Sequence, residues 1–349
     1  MELDKTNNKL YSDICKLVEE AKNYVANTAN TTMTLLYWRI GERINTNLLD
    51  GQRAAYGKQI VSELATQLQG KYGKRGFQER NIRRMMQFAE LFPDFQIVSE
   101  LATQLSWSHF IELLTLKDTL HRDFYTQMAI YEKWGTKQLR AKIDGMLYER
   151  TTISGKPDEL IKTELANVRK GEAMSPDMVF KSPYFLDFTG LKGVYSEKKL
   201  EDSLIVSLEQ FIMELGVGFT FVERQKRMII DGEDFYLDLL FYHRKLKRLI
   251  AIELKLGKFK AAYKGQMELY LRWLDKHEKQ AGEETPLGLI LCAEGGHEQI
   301  ELLQLDKAGI KVAEYLTELP DRKLLIDKLN KELELKRQLF ANREEEDNG

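Results

Sequence analysis

The chain is poor in the residues that build covalent or metal scaffolds. Its 349 residues include only two cysteines, Cys15 and Cys292, and five histidines. Cysteines so few and so far apart exclude a disulfide framework and a cysteine-rich zinc site, and the histidines do not fall at metal-ligand spacing. No apolar run approaches the ~20 residues needed to cross a bilayer, and no charged-then-apolar leader opens the sequence. The expected setting is therefore the cytoplasm, with no membrane. A phosphate-cradling glycine loop is missing as well: Gly216-Val-Gly218 lacks the third glycine and precedes a strand, which argues against ATP-driven chemistry. Net charge is slight, at −2.

What is present suits a soluble protein with real cores, 43% hydrophobic and 30% charged. The length fits roughly two domains of about 100–200 residues. Charge is uneven beneath the small total. Lys71, Lys74, Arg75, Arg80, Arg83 and Arg84 crowd one stretch against the single acid Glu79, and Arg244, Lys245, Lys247 and Arg248 form a second. Part of the acidic counterweight lies at the end, in Glu344, Glu345, Glu346 and Asp347. Phosphate binding depends on such clusters, so the near-neutral total does not exclude a nucleic-acid partner.

Residues ~10–150 carry apolar residues at helical spacing with sparse glycine and proline. The pattern predicts helices at 56–69, 78–91, 107–117, 119–133 and 136–149, the second closed by Pro93. The nonapeptide Ile-Val-Ser-Glu-Leu-Ala-Thr-Gln-Leu occurs at 60–68 and again at 97–105. Two copies are too few for a solenoid and fit two helices with similar packing roles. A turn-rich, proline-bearing stretch at 151–180 then marks a linker. Beyond it the pattern predicts a helix at 197–215 and strands at 218–230, 235–242 and 248–254. A helix at 260–279, a strand at 287–293, a short helix at 298–305 and a strand at 310–315 follow. This order is a mixed α/β core. From residue 321 a charged helix fades into a disordered tail.

The chemistry concentrates in two apolar runs, Phe235–Tyr242 and Leu249–Lys255. Each carries charge in its interior, which is costly unless compensated. A hairpin turning on Lys245-Leu246 sets Asp238 directly opposite Glu253, about 5 Å apart at Cβ. Lys255, two residues on, points to the same face. Two carboxylates that close repel each other, and a divalent cation removes the conflict. Magnesium suits one or two carboxylates plus a substrate phosphate, with manganese a substitute, and it acidifies bound water. Lys255 can then orient the nucleophilic water or neutralise the transition state. A Glu-x-Lys triplet alone means little; Glu197-Lys-Lys199 and Glu334-Leu-Lys336 are others. Placement inside an apolar strand opposite another acid distinguishes this one from a mere buried ion pair, which apolar residues would replace without loss.

Gln266 and Tyr270 share a helix face at i, i+4, where they can reach the site or serve as a solvated glutamine and a core tyrosine. Glu201 shares a helix face with Leu204, Ile205 and Leu208 and so points inward as a further carboxylate; Glu209 is less clearly placed. The helix pair at 56–91 either presents Lys74, Arg75, Arg80, Arg83, Arg84 and Gln87 to DNA, in the manner of a helix-turn-helix, or offers a solvated face. Trp107 and His109 read as packing and capping residues.

Several motifs together carry a resemblance. They are Leu105-Ser-Trp-Ser-His109, Arg122-Asp-Phe-Tyr125, Ser182-Pro-Tyr-Phe185, Glu214-Leu-Gly216, Asp234-Phe-Tyr-Leu-Asp238, Ala251-Ile-Glu-Leu-Lys255, and Gly265-Gln266 with Tyr270. Over about 15–320 the chain resembles the YhcG-like family of bacterial PD-(D/E)xK nucleases. The resemblance implies an α+β chain: an all-α N-terminal domain (10–150), the linker (151–180), a restriction-endonuclease-like nuclease domain with a central mixed sheet flanked by helices (181–320), and the tail (321–349). It implies Asp238 and Glu253 as metal ligands, the Leu254 carbonyl as a third, and Lys255 as catalytic base or stabiliser. It also matches Gln266 and Tyr270 to a glutamine–tyrosine helix element.

The resulting expectation is a magnesium-dependent DNA endonuclease whose helical domain positions DNA or a partner. A homodimer would suit cutting of both strands. RNA cleavage, or a binding and assembly role for a nuclease fold without turnover, are the alternatives.

Overall fold

The computed structural model describes residues 2–49, 54–74, 76–153, 158–170, 175–295 and 297–347. It divides into two compact units, Met1–Ala141 and Lys142–Gly349. The first holds α1 (Glu2–Leu49), α2 (Ala54–Tyr72), α3 (Glu79–Leu91), α4 (Phe95–Ala102), α5 (Trp107–Leu113), α6 (Thr119–Tyr131) and most of α7 (Thr136–Asp144).

In the first unit, α1 crosses α3 at backbone distance: a Cβ on Gly41 would lie 1.8 Å from the Met85 carbonyl oxygen. Only glycine permits that approach. Asn45 and Trp38 donate side-chain N–H groups to the Met86 and Phe92 carbonyls at 2.8 Å, satisfying acceptors near the end of α3. Ile82, Met85, Phe88 and Ala89 are the buried stripe of α3. His109 accepts from the Ser106 amide at 3.1 Å and so caps α5, while Trp107 packs its ring on Phe88 and Tyr37. Both residues are structural.

The second unit begins with α8 (Leu147–Ile153) and α9 (Asp158–Arg169), followed by β1 (Tyr184–Phe185), α10 (Glu197–Val206) and α11 (Leu208–Leu215). Next come β2 (Phe219–Ile230), β3 (Glu233–His243), β4 (Arg248–Lys258), α12 (Ala262–His277), β5 (Leu287–Glu294), α13 (His297–Leu302), β6 (Ile310–Leu316) and α14 (Arg322–Asp347). The sheet order is β1-β6-β5-β4-β3-β2. Strands β2 to β4 form an antiparallel meander and the remaining pairs are parallel, which makes the sheet mixed. Asp231 and Gly232, both at positive φ, turn β2 into β3 as a two-residue hairpin requires.

Alternation along β4 separates two layers. Ile250, Ile252 and Leu254 pack with Leu200, Leu204 and Phe211 of α10 and α11. Leu249 and Ala251 pack with Met267, Tyr270 and Leu271 of α12. Helices thus flank the sheet on both faces.

Three segments differ from the sequence expectation. The helix expected at 136–149 breaks at Gly145-Met146, where Met146 turns to a positive φ of 52°. The helix expected at 197–215 breaks at Ser207, which ends α10 and opens α11. Residues expected as a linker contain the end of α8 and all of α9. The charged helix expected from residue 321 is α14, and its Leu325, Leu329 and Leu333 are buried with Met146 and Ile153. Their i, i+4, i+8 spacing gives that charged helix one apolar line, enough to dock it. Among the described residues no helix is long and apolar enough to cross a membrane.

Candidate active site

The site forms where the β3–β4 ladder gives way to side chains. Backbone pairing runs from His243–Arg248 at the turn to Leu239–Ile252. Beyond that last pair Asp238 and Glu253 come together. There the Leu254 amide donates to Asp238 Oδ2 at 2.8 Å, and the Asp238 amide donates to Glu253 Oε1 at 3.4 Å. The two carboxylates have replaced the carbonyls a continued ladder would offer. Lys255 Nζ lies 2.7 Å from Glu253 Oε2 and 5.5 Å from the Tyr263 ring centroid, on the α12 face. The structure thus brings Asp238, Glu253 and Lys255 together.

Burial sets the electrostatics. Glu253 is 3% exposed. Burial, then the neighbouring Asp238, push its carboxyl up to about 7, against the opposing pull of Lys255. Burial raises Asp238 too, opposed first by the Leu254 N–H. Lys255 is drawn down by burial, but Glu253 and Asp238 outweigh that and hold its ammonium above the ordinary range. One ammonium is shared between two buried acids, so Lys255 stays charged and Glu253 is the group that titrates near neutrality.

Two helices complete the surroundings. On α12, Gln266 Nε2 donates to the Tyr270 hydroxyl at 2.8 Å, and that hydroxyl donates to the Tyr236 carbonyl at 3.4 Å, two residues before Asp238. Tyr270 is buried, which raises its phenol, with further contributions from Glu253 and Asp238. Glu201 on α10 is buried as its helix face required, whereas Glu209 on α11 is exposed.

Glu201 does not touch Asp238 directly. The Gln225 amide stands between them, donating to Glu201 Oε2 at 2.7 Å and to Asp238 Oδ1 at 3.1 Å. Arg224 holds Glu201 Oε1 at 2.5 Å and also binds Asp202. Gln225 has a positive φ of 50°, uncommon for a non-glycine residue inside a strand, and a bulge lies just before it between Phe221 and Glu223. Sequence reasoning missed Gln225 and Arg224, because Glu223-Arg-Gln-Lys-Arg227 reads as a polar edge.

The oxygen donors fit a hard cation. Among the described residues, no three His, Cys, Asp or Glu side chains form a group placed to hold a metal. The acids Asp238 and Glu253 are adjacent, however, and burial makes both resist ionisation. The Leu254 amide is turned toward β3, and its carbonyl lies on the same edge of the strand.

A second buried charge cluster lies in the same unit. Arg150 contacts Glu214 Oε1 at 2.8 Å, and Lys181 lies 3.4 Å from Glu214 Oε2 and also binds the Glu214 carbonyl. The Phe185 amide donates to Glu214 at 2.9 Å, and the Arg150 guanidinium stacks 3.9 Å over the Phe185 ring. The motifs Ser182-Pro-Tyr-Phe185 and Glu214-Leu-Gly216 thus meet in an internal clamp.

The basic residues singled out in the first unit divide. Lys74 and Arg80 are exposed, Arg83 pairs with Glu79 at 2.6 Å, and Arg84 is half-buried, its guanidinium pKa lowered by burial and by Arg80. Gln87 donates its amide to the Leu114 carbonyl at 2.9 Å. Arg75 lies outside the described residues.

Comparison with known proteins agrees with this layout. Residues 13–150 match the family described as the DUF1016 N-terminal domain, and residues 177–334 match the YhcG PDDEXK nuclease domain. The "Putative nuclease YhcG" of Escherichia coli (strain K12) is 33% identical, over 92% of this chain and 93% of that protein. Two solved structures align with 37% of this chain. One is a repair endonuclease from Pyrococcus abyssi, 21% identical over 50% of that chain at a TM-score of 0.26. The other is an EndoMS-dsDNA2 complex, 16% identical over 49% of that chain at a TM-score of 0.28. Each alignment covers about half of the solved chain, and scores this low carry no structural argument.

Proposed function

The chain belongs to the YhcG-like family of PDDEXK nuclease proteins, and from that premise we propose that it is a DNA endonuclease that hydrolyses phosphodiester bonds with a divalent cation, magnesium by preference. The observation that carries the reading is the facing pair Asp238 and Glu253, with Lys255 2.7 Å from Glu253 at the point where the ladder opens.

Asp238, Glu253 and the Leu254 carbonyl would hold the cation, with Glu201 linked to them through Gln225. Magnesium is a hard ion that takes carboxylate and carbonyl oxygens and keeps several waters, as this donor set allows. When bound, such an ion supplies an acidified water and a Lewis-acid contact to the phosphate.

The protein's own groups do the rest. Lys255, held charged on Glu253, orients the attacking water or neutralises charge developing on the phosphate oxygens. Tyr270, anchored on the Tyr236 carbonyl, fixes Gln266, whose amide oxygen is left to position a water beside the acids. In the first unit Lys74, Arg75, Arg80, Arg83 and Arg84 supply phosphate contacts that draw DNA in.

Incubation of the purified full chain with labelled DNA and RNA, with and without magnesium, tests the reading. Cleavage of DNA that needs the metal and disappears in Asp238→Ala and Lys255→Ala is the expected result. Binding without cleavage by the wild-type chain would refute it. Cleavage of RNA alone would correct the substrate and leave the site intact.

A further inference from the structure

The first unit contains a helix segment that its own core does not explain. Every described side chain of α1 from Tyr11 to Ala29 is exposed, apart from the half-exposed Cys15. An isolated helix of this length is marginal in water, and Asn23, Asn27 and Thr28 are weak helix formers. Yet the segment is amphipathic. At 100° per residue, Tyr11, Ile14, Leu17, Val18, Ala21, Tyr24 and Val25 fall within a stripe about 140° wide, with every charged residue outside it. The six large ones are exposed by 46% (Val18) to 73% (Tyr24).

The stripe does not lead into the unit's core. Farther along α1, the residues packed inward are Thr34, Trp38, Gly41 and Ile44. They occupy the opposite side of the helix on the same 100° count. The exposed line instead continues past Thr32 to Leu36, itself 41% exposed. From Tyr11 to Leu36 it runs for about 38 Å.

We infer that this stripe is the seam along which α1 pairs in parallel with α1 of a second copy of the same chain. Tyr11, Val18 and Val25 recur every seven residues, and so do Ile14, Ala21 and Thr28, which are the a and d series of a heptad. Asp13 and Glu20 border one side of the stripe and Lys22 the other. In that register Lys22 is an e position and Asp13 and Glu20 are c positions, and parallel pairing keeps the acidic borders of the two copies on opposite sides of the seam. One surface serves both copies, which is what a two-fold interface demands. Covering the six side chains removes on the order of 500 Å² per copy, or about 1,000 Å² per pair. That reaches the lower bound for a specific interface before Leu36 is added. The inference does not depend on the proposed chemistry.

The test uses the full chain. Sedimentation or light scattering should give twice the mass of one chain, and Ile14→Glu with Val18→Glu should return the single mass. Lys16→Glu, on the far side of the helix, should leave the pair intact. A measurement on the unaltered chain guards against a variant that merely misfolds: amide exchange over residues 11–29 should be protected at high concentration and lost on dilution. A single-chain mass for the wild type would overturn the inference. So would a pair whose protection over 11–29 does not change with concentration.

Discussion

Two buried charge clusters sit in the second unit, and their imbalance runs in opposite directions. Around the β3–β4 opening, Asp238, Glu253 and Glu201 face Lys255 and Arg224, so negative charge is in excess. At the α8–α11 clamp, among the described residues, Arg150 and Lys181 face the one acid Glu214, so positive charge is in excess. The clamp resolves its surplus internally: the Glu214 carbonyl binds Lys181, the Phe185 ring takes the Arg150 guanidinium, and burial holds Lys181 well below the usual lysine range. The acidic cluster has no such internal remedy, and its carboxyls rise instead. A cluster closed on itself holds parts of a fold together, whereas a cluster left wanting a cation is equipped to take one.

Asp238→Asn is the sharpest way to break that contrast. It should reduce metal-dependent cleavage by at least about a thousandfold, since it removes a ligand from the charge-stabilising centre. The melting temperature should change little, because relief of the repulsion with Glu253 offsets the one acceptor lost toward the Leu254 or Gln225 N–H. A lowered melting temperature would mean that Asp238 serves structure as the clamp does.

The clamp should behave the other way. Glu214→Ala strands two buried cations and should cost about 3–5 kcal/mol in denaturant unfolding, with cleavage per folded molecule preserved. Lys181→Met keeps the Arg150–Glu214 pair and should be near neutral. Equal losses from both variants would show that Lys181 contributes more than charge balance.

The acidic cluster also predicts a pH dependence. In the metal-free protein the Glu253 carboxyl sits near 7, above its ordinary 4.5. Between those values the folded state binds more protons than the unfolded state, so stability falls as pH rises through the window. The slope from this one group is at most about 1.4 kcal/mol per pH unit. Glu253→Gln should remove it, and saturating magnesium should flatten it. Unfolding curves at pH 5 to 7.5, with and without the ion, check both.

The legibility of these features followed from range. The approach of Asp238 to Glu253 could be read because a short hairpin fixes the register from His243–Arg248 to Leu239–Ile252, the last pair before the two residues meet. The mixed sheet and the inward turn of Glu201 were equally local. Gln225 was hidden because its role depends on a bulge and a positive φ that no alternation pattern encodes. The clamp was visible only as two short motifs, since Arg150 and Glu214 meet across 64 residues. The repeated nonapeptide shows the same limit. Its first copy lies wholly inside α2, but α4 ends at Ala102, six residues into the second. Nothing within the nine residues differs. Ser106, directly after the second copy, is the capped start of α5.

The smallest expected effect concerns the basic residues of α3. Arg80 is exposed, and Arg84 loses more to burial and to Arg80 than Glu112 returns. Two like charges held this close favour an outside anion, and a DNA backbone supplies one. Arg83, already paired with Glu79, has less to offer. Arg80→Glu with Arg84→Glu should therefore weaken DNA binding several-fold and lower the slope of log affinity against log salt by about 2, one unit for each phosphate that is no longer neutralised. Cleavage of saturating substrate should change little, because these residues lie in a different unit from the carboxylates. An unchanged salt slope would remove α3 as a DNA-binding surface and leave the nuclease unit to hold its substrate alone.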